Sequence, residues 1–383
     1  MNMKCLVKES LSVDGLTLKQ DVVVPKVKED EVLIRVQATC VCGTDKSIYL
    51  SSRSEGIQKE MRRYLPNGDF KPLVIGHEFC GIVEALGPGI EEKFKDIPEE
   101  HKVQKGDYVT AEMHLSCGHC LQCRTGNEHI CTKVKVKGVH LDGCFAQYVC
   151  VPYKNVILLG KDGDTSKIPP KIGSMLDAFG NAVHTVYEAD VRGKSVAILG
   201  AGPLGLMAAM LCKEFGAARI YLTEAVDTTR RFELATQFGV DQCFDVSKSS
   251  KEFLASVEKN ESFANGVDVV LEMSGSPSAY EDAFSVVKNG GEVLLLGITR
   301  TPLKDFDIAG SVIWKGVNVK GIFGRKMFGT WETMLRLLRS ERLDLQPKLL
   351  KIITDKTYSL DQYEEAFGLL NGGKEMKLVF ELN

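Results

Sequence analysis

The chain has 383 residues, beyond the size at which one hydrophobic core keeps growing, so two domains are expected. Its 48 Lys plus Arg nearly balance 51 Asp plus Glu, and a formal charge of -3 leaves no basic footprint for nucleic acid or an anionic membrane surface. The opening residues MNMKCLVKES lack the apolar core of a secretory signal, and no stretch approaches the roughly 20 apolar residues that cross a bilayer. A cytoplasmic protein with a small polar partner is therefore expected.

In chain order, the first part reads as short strands between turn signals, KCLVKE, EVLIRVQAT, CGIVEAL, DYVTAEM and CFAQYVCV, which is a β-rich domain. From about Ser195 the pattern becomes apolar strand, glycine turn and amphipathic helix in succession: SVAILG, LGLMAAMLCKEFG, RIYLTE, TRRFELATQFG. VDVVLEMSG and GEVLLLGI follow as near-continuous apolar runs, as parallel strands buried on both faces require, so this part is a doubly wound α/β unit. After about Gly324 come a helical stretch, TWETMLRLLRSERL, and a tail whose KLVFEL alternates like a closing strand. A crevice between two such domains is the default place for a ligand.

Twelve cysteines in a chain of this length point to metal binding or catalysis before disulfides. Cys117, Cys120, Cys123 and Cys131 fall within fifteen residues as C-x2-C-x2-C-x7-C. Four thiolates at that spacing suit a closed tetrahedral zinc site that stabilises a lobe; a redox pair needs only two of them. Others, such as Cys150 and Cys212, stand singly among apolar residues, as core thiols do.

Gly200, Gly202 and Gly205, with Pro203 and Leu204 between them, form G-A-G-P-L-G directly after the strand SVAIL and at the start of a helix. The first glycine permits the tight turn, the second lets the backbone approach a pyrophosphate, and the third allows close helix packing. The next apolar strand ends at Glu224, where a carboxylate can take a ribose 2′-hydroxyl and repel a 2′-phosphate, so NAD is expected over NADP. Glu224 as a solvated loop residue is the alternative, and Arg230 and Arg231 are close enough in sequence to accommodate NADP.

A second metal constellation is dispersed: Cys42 in VCGTD, and His77 with Glu78 in IGHEFCG. Singly, Cys42 reads as a small buried hydrophobe and His77 as a turn residue. Beside a nucleotide fingerprint, the three suggest a catalytic zinc with a coordination position left open.

These residues resemble the zinc-dependent medium-chain dehydrogenases, and within them the branch that oxidises threonine. The resemblance covers nearly the whole chain: CGTD with Ile48 and Tyr49, GHE at Gly76 to Glu78, the four cysteines, FGNAVHT at Phe179 to Thr185, GAGPLGLMAA at Gly200 to Ala209, LEMSG at Leu271 to Gly275, and KGIFGRKMFGTW at Lys320 to Trp331. It implies a Rossmann domain, 181–324, inserted in a β-rich GroES-like catalytic domain made of 1–180 and 325–383, with a zinc lobe at 117–131. It implies two zinc ions per chain, one catalytic on Cys42, His77 and Glu78 and one structural, with NAD as the hydride acceptor, and a homo-oligomer, dimer or tetramer, is expected. Asp177 becomes a candidate fourth ligand, or a cap for the helix that follows. Thr44 becomes the hydroxyl that passes the substrate proton outward, or a turn residue, and His114 a histidine of the substrate pocket, or a surface group.

Three departures stand out. Ser47 replaces a relay histidine, Asp177-Ala178 replaces an acidic residue followed by proline, and the segment from Leu50 to Lys71 is longer than expected. The implied reaction turns threonine into 2-amino-3-oxobutanoate. A polyol or cyclitol dehydrogenase with the same machinery is the alternative, and a non-catalytic module that kept the fold is a more distant one.

Overall fold

The computed structural model describes residues 1–10, 12, 15–50, 71–299, 301–373 and 375–382. The long segment between Leu50 and Lys71 lies outside the described residues. The chain divides into two compact units, Met1–Ala178 with Lys326–Ser340 and Ile353–Asn383, and Phe179–Arg325 with Glu341–Ile352. Among the described residues no helix is long and apolar enough to cross a membrane.

The first unit is built on the strand Glu31–Cys40. Its period of two sends Val32, Ile34, Val36 and Ala38 into the core, all buried, while Arg35 and Gln37 stay partly exposed. Its first half pairs with Tyr148–Pro152, its length with Glu78–Leu86, and its last residues with Val379–Glu381, all antiparallel. Tyr108–Ala111 and Val156–Gly160 extend the sheet, and a separate three-stranded sheet joins Leu16–Val23, Asn2–Lys8 and Leu73–Val74. Of CFAQYVCV only Tyr148–Val151 is strand; Cys144 and Phe145 instead bond the carbonyls of Gly76 and Ile75.

One register matters most for the site. Cys40 stands opposite Glu78 on one side and opposite Val379 on the other. Residues just beyond those three positions, Cys42, His77 and Lys377, are thereby delivered to one end of the sheet.

In the second unit six strands lie in the order Gln242–Asp245, Arg219–Glu224, Ser195–Leu199, Val267–Glu272, Val287–Leu295, Asn318–Gly321, every neighbouring pair parallel. Numbered along the chain this is 3-2-1-4-5-6, the dinucleotide-binding order, with its switch point between Ser195–Leu199 and Val267–Glu272. Ser195–Leu199 is buried throughout, which is why its sequence carries no alternation.

The tail departs from the expected boundaries. Residues 341–352, which the sequence groups with the first domain, belong to the second unit. The helix Leu345–Ile352 buries Leu345, Leu349 and Ile352, an i, i+4, i+7 stripe. Lys348 donates to Glu214 at 2.8 Å and Lys351 to Gln237 at 2.8 Å, on the ends of two helices of that unit.

Candidate active site

The four-cysteine lobe is assembled from a short stretch of chain. Its sulfurs approach at 3.4 Å (Cys120 to Cys123), 3.8 Å (Cys120 to Cys131) and 4.0 Å (Cys117 to Cys123). A tetrahedral ion with bonds of about 2.3 Å would hold its sulfurs about 3.8 Å apart, so the lobe fits zinc. The backbone N–H groups of His119 and Cys120 point at the Cys117 sulfur from 3.4 Å, and that of Lys133 points at Cys131 from 3.3 Å. Such donors favour thiolate: the His119 and Cys120 N–H groups lower the Cys117 thiol, those of Cys123 and Thr132 bring Cys120 down to about 6, and burial pushes Cys123 up. All twelve cysteines are free thiols.

Cys42, His77 and Glu78 do come together, with one ligand atom from each within 4.8 Å of the others. Cys42 caps the helix Gly43–Tyr49, and Asp45 closes a capping box by accepting the Cys42 N–H at 2.9 Å. The other Asp45 oxygen lies 3.3 Å from His77 Nδ1, which leaves Nε2 as the ring nitrogen for a metal. Burial disfavours charge on His77, but the negative charges of Asp45 and Cys42 outweigh it and hold the metal-free imidazole well above its usual range. Glu78 is fully buried; Lys377 donates to its Oε2, while its Oε1 has no hydrogen-bond partner among the described residues. A buried thiol, imidazole and half-satisfied carboxylate are a donor set that suits zinc. Asp45 and Lys377 act here although the sequence marked neither for a role. Asp45 was legible in the i, i+3 capping spacing; Lys377, 299 residues from Glu78, was not.

Asp177 sits in the first turn of the helix Leu176–Ala189 and groups with Glu112 and His114, one ligand atom from each within 4.8 Å of the others. Its charge also acts on Glu78, whose carboxyl is raised mainly by burial. Glu112 is a further residue the sequence missed. Fully buried, it accepts the His114 backbone N–H at 2.9 Å, meets His114 Nδ1 at 2.8 Å and accepts the Trp331 indole N–H at 2.9 Å. His114 is thus oriented by a buried carboxylate and is no loose surface group. Thr44 lies half-buried in the helix opened by Cys42. Ser47, in place of the relay histidine, donates to the Gly43 carbonyl at 3.0 Å within its own helix.

In the second unit G-A-G-P-L-G joins the strand Ser195–Leu199 to the helix Pro203–Glu214, with Pro203 in its first turn. Gly200 has φ +106°, and a methyl group on Gly205 would lie 1.8 Å from the Gly200 carbonyl oxygen. A methyl on Gly202 would meet nothing within 4 Å, so that side of the turn is open to a pyrophosphate at the helix N-terminus. Leu204 follows Pro203 in the first turn of that helix. Glu224, buried at the end of its strand, accepts the Ala201 N–H at 2.9 Å, the Ala225 and Val226 N–H groups at 2.7 and 3.1 Å, and Arg231 at 2.6 Å. It is no solvated loop residue, and Arg231 is its ion-pair partner. Two stretches that carry the threonine resemblance also hold each other here: Arg325 donates to Asn181 at 3.2 Å, and His184 meets the Gly324 carbonyl at 2.9 Å.

A dinucleotide turn in one unit and two metal-ligating clusters in the other define the class, a metal-dependent dehydrogenase. Residues 28–161 match the alcohol dehydrogenase GroES-like domain, and residues 203–340 match the zinc-binding dehydrogenase domain. An L-threonine 3-dehydrogenase of Pyrococcus abyssi is 40% identical over 94% of this chain and 94% of its own, and one of Caldanaerobacter subterraneus subsp. tengcongensis is 39% identical over 93% and 92%. The solved alcohol dehydrogenase of Thermus sp. ATN1 superposes with a TM-score of 0.80 at 25% identity, covering 100% of both chains. The chain belongs to the zinc-binding alcohol dehydrogenase family and is an oxidoreductase.

Proposed function

We propose that the chain oxidises the secondary hydroxyl of L-threonine to a ketone, with NAD as the hydride acceptor. The observation that carries this reading is the group Glu112, His114 and Asp177, whose Asp177 charge reaches the Cys42, His77 and Glu78 cluster. A zwitterionic amino acid needs an anion for its ammonium group and a donor for its carboxylate near the reacting carbon. Asp177 supplies the first and His114 the second, whereas a polyol needs neither. The names of the relatives, at 39–40% identity, point the same way.

Zinc held by Cys42, His77 and Glu78 supplies a Lewis acid for the substrate hydroxyl, and nicotinamide supplies the hydride acceptor. Asp45 fixes the His77 ring, and Lys377 holds one oxygen of Glu78 while leaving the other for the metal. Thr44 takes the proton from the substrate hydroxyl and passes it outward; Ser47, bonded to Gly43, does not replace it. Glu224 favours NAD by occupying the place a 2′-phosphate would need, and its bond to Arg231 moderates that preference.

The reading includes a homo-oligomer, supported by Asn318–Gly321 as an edge strand unpaired on one side among the described residues, and by exposed Ile313, Trp314, Val319 and Phe323 around it. It also includes a cytoplasmic site of action, which twelve free thiols suit.

The decisive experiment measures NADH formation by the zinc-loaded chain with L-threonine, sorbitol and inositol, each with NAD and with NADP. Threonine with NAD is expected to give the highest kcat/KM. A polyol in first place would replace the substrate assignment, and equal efficiency with NADP would remove the role given to Glu224.

A further inference from the structure

The stretch LEMSG, Leu271 to Gly275, takes no part in the chemistry above, yet it contains one of the most completely buried carboxylates of the second unit. Glu272 has no exposed surface and closes the strand Val267–Glu272. In register it stands level with Leu199 on one side and Leu295 on the other, the last residues of the two neighbouring strands. Its position is therefore the carboxyl edge of the sheet beside the switch point, where doubly wound folds bind their ligands.

One oxygen of Glu272 is saturated. Oε1 accepts the Ser274 N–H at 2.9 Å, the Ser274 hydroxyl at 2.6 Å and the Gly275 N–H at 2.8 Å. Oε2 is buried with no hydrogen-bond partner among the described residues. Burial raises the carboxyl, and the Ser274 and Gly275 bonds only partly offset that. A buried group that is costly to keep and half-satisfied calls for a reason other than stability.

The reason lies in what its partners touch. A methyl group on Gly200, first glycine of the fingerprint, would lie 2.8 Å from Ser274 Cβ. One on Gly275 would lie 2.6 Å from the Ile298 carbonyl oxygen, and one on Gly297 would lie 2.2 Å from the Gly275 nitrogen and 2.4 Å from Glu272 Oε2. Three loops, those following Leu199, Glu272 and Leu295, are thus nested on one carboxylate with no room for a side chain between them.

We propose that Glu272 is a positioning residue for the dinucleotide, clamping the Ser274–Gly275 turn against Gly200 and so setting the shape of the fingerprint turn that receives the pyrophosphate. The proposal rests on the dinucleotide reading of G-A-G-P-L-G. Glu272 touches no reacting atom; it acts through Ser274 and Gly275.

The test is a fluorescence titration of the full zinc-loaded chain with NADH, alongside zinc content and thermal stability. Glu272→Ala is expected to weaken NADH binding at least tenfold with both zinc ions retained, because three donors lose their acceptor at once. Glu272→Gln, whose amide oxygen can still accept all three, is expected to restore most of the affinity. Ser274→Ala, which removes only the hydroxyl, is expected to fall between and serves as the deciding variant should Glu272→Ala fail to fold. Unchanged NADH affinity in Glu272→Ala, or in Ser274→Ala if only that one folds, overturns the proposal, even where thermal stability drops. Loss of NADH binding by the wild-type chain itself would instead overturn the dinucleotide reading beneath it.

Discussion

The two metal clusters of the first unit are built on opposite plans. The four cysteines lie within fifteen residues, and their nearest charge stabilisers are backbone N–H groups of the same loop. Cys42, His77 and Glu78 come from two separate motifs, and Asp45 of the first motif and a buried lysine 299 residues from Glu78 hold them. A loop of thiols offers four equivalent ligands and closes on its metal. A cluster with one thiolate, one imidazole and one carboxylate already shared with an ammonium group keeps a weaker position that a substrate can use. The lesson is that a structural metal site needs only local spacing, while a catalytic one needs tertiary contacts that keep it incomplete.

The sharpest way to break this contrast is Cys42→Ser. It is expected to abolish turnover while NADH affinity stays near the wild-type value, since the fingerprint lies in the other unit. A Cys42→Ser protein that still oxidised substrate would end the zinc mechanism. Thr44→Ala comes next: with both metal ions in place, the hydride step is expected to slow by about 10²- to 10⁴-fold, as on loss of a positioned proton carrier. Wild-type rates in single-turnover kinetics would move the relay elsewhere.

Lys377→Met probes how the catalytic cluster is held. Removing one partner of a buried ion pair costs about 3–5 kcal/mol, so the zinc-free protein is expected to lose that order of stability against denaturant. With zinc bound the loss should shrink, because the metal then balances the Glu78 charge. Equal losses with and without chelator would show that Lys377 and the metal do not share Glu78. The smallest effect on chemistry is expected from Cys120→Ser, which should lower metal content by about one zinc per chain and lower Tm, yet leave kcat at low temperature close to wild type. Full zinc content with unchanged Tm would mean that the four sulfurs hold no ion.

Much of this protein is legible in its sequence. The apolar run SVAIL, the glycine spacing after it and the strand ending at Glu224 specify a dinucleotide fold because each depends only on neighbours along the chain. The cysteine lobe was legible for the same reason. The capping spacing from Cys42 to Asp45 was present too, though only the fold shows that the same carboxylate turns His77. What sequence could not give were pairings across long separations. Lys377 reaches Glu78 because Cys40 stands between Glu78 on one side and Val379, two residues after Lys377, on the other, a register that closes only when the tail adds its strand. Trp331 reaches Glu112, and through it His114, across 219 residues. The helix Leu345–Ile352 leaves the tail for the second unit, where its Leu345, Leu349 and Ile352 stripe is buried and its lysines meet Glu214 and Gln237, partners its own amphipathic pattern does not name. Local spacing fixes what each segment can bind, because those distances are set by covalent geometry. Which carboxylate stays half-satisfied and ready for a metal is decided only by burial, where partners arrive from distant chain and water is excluded.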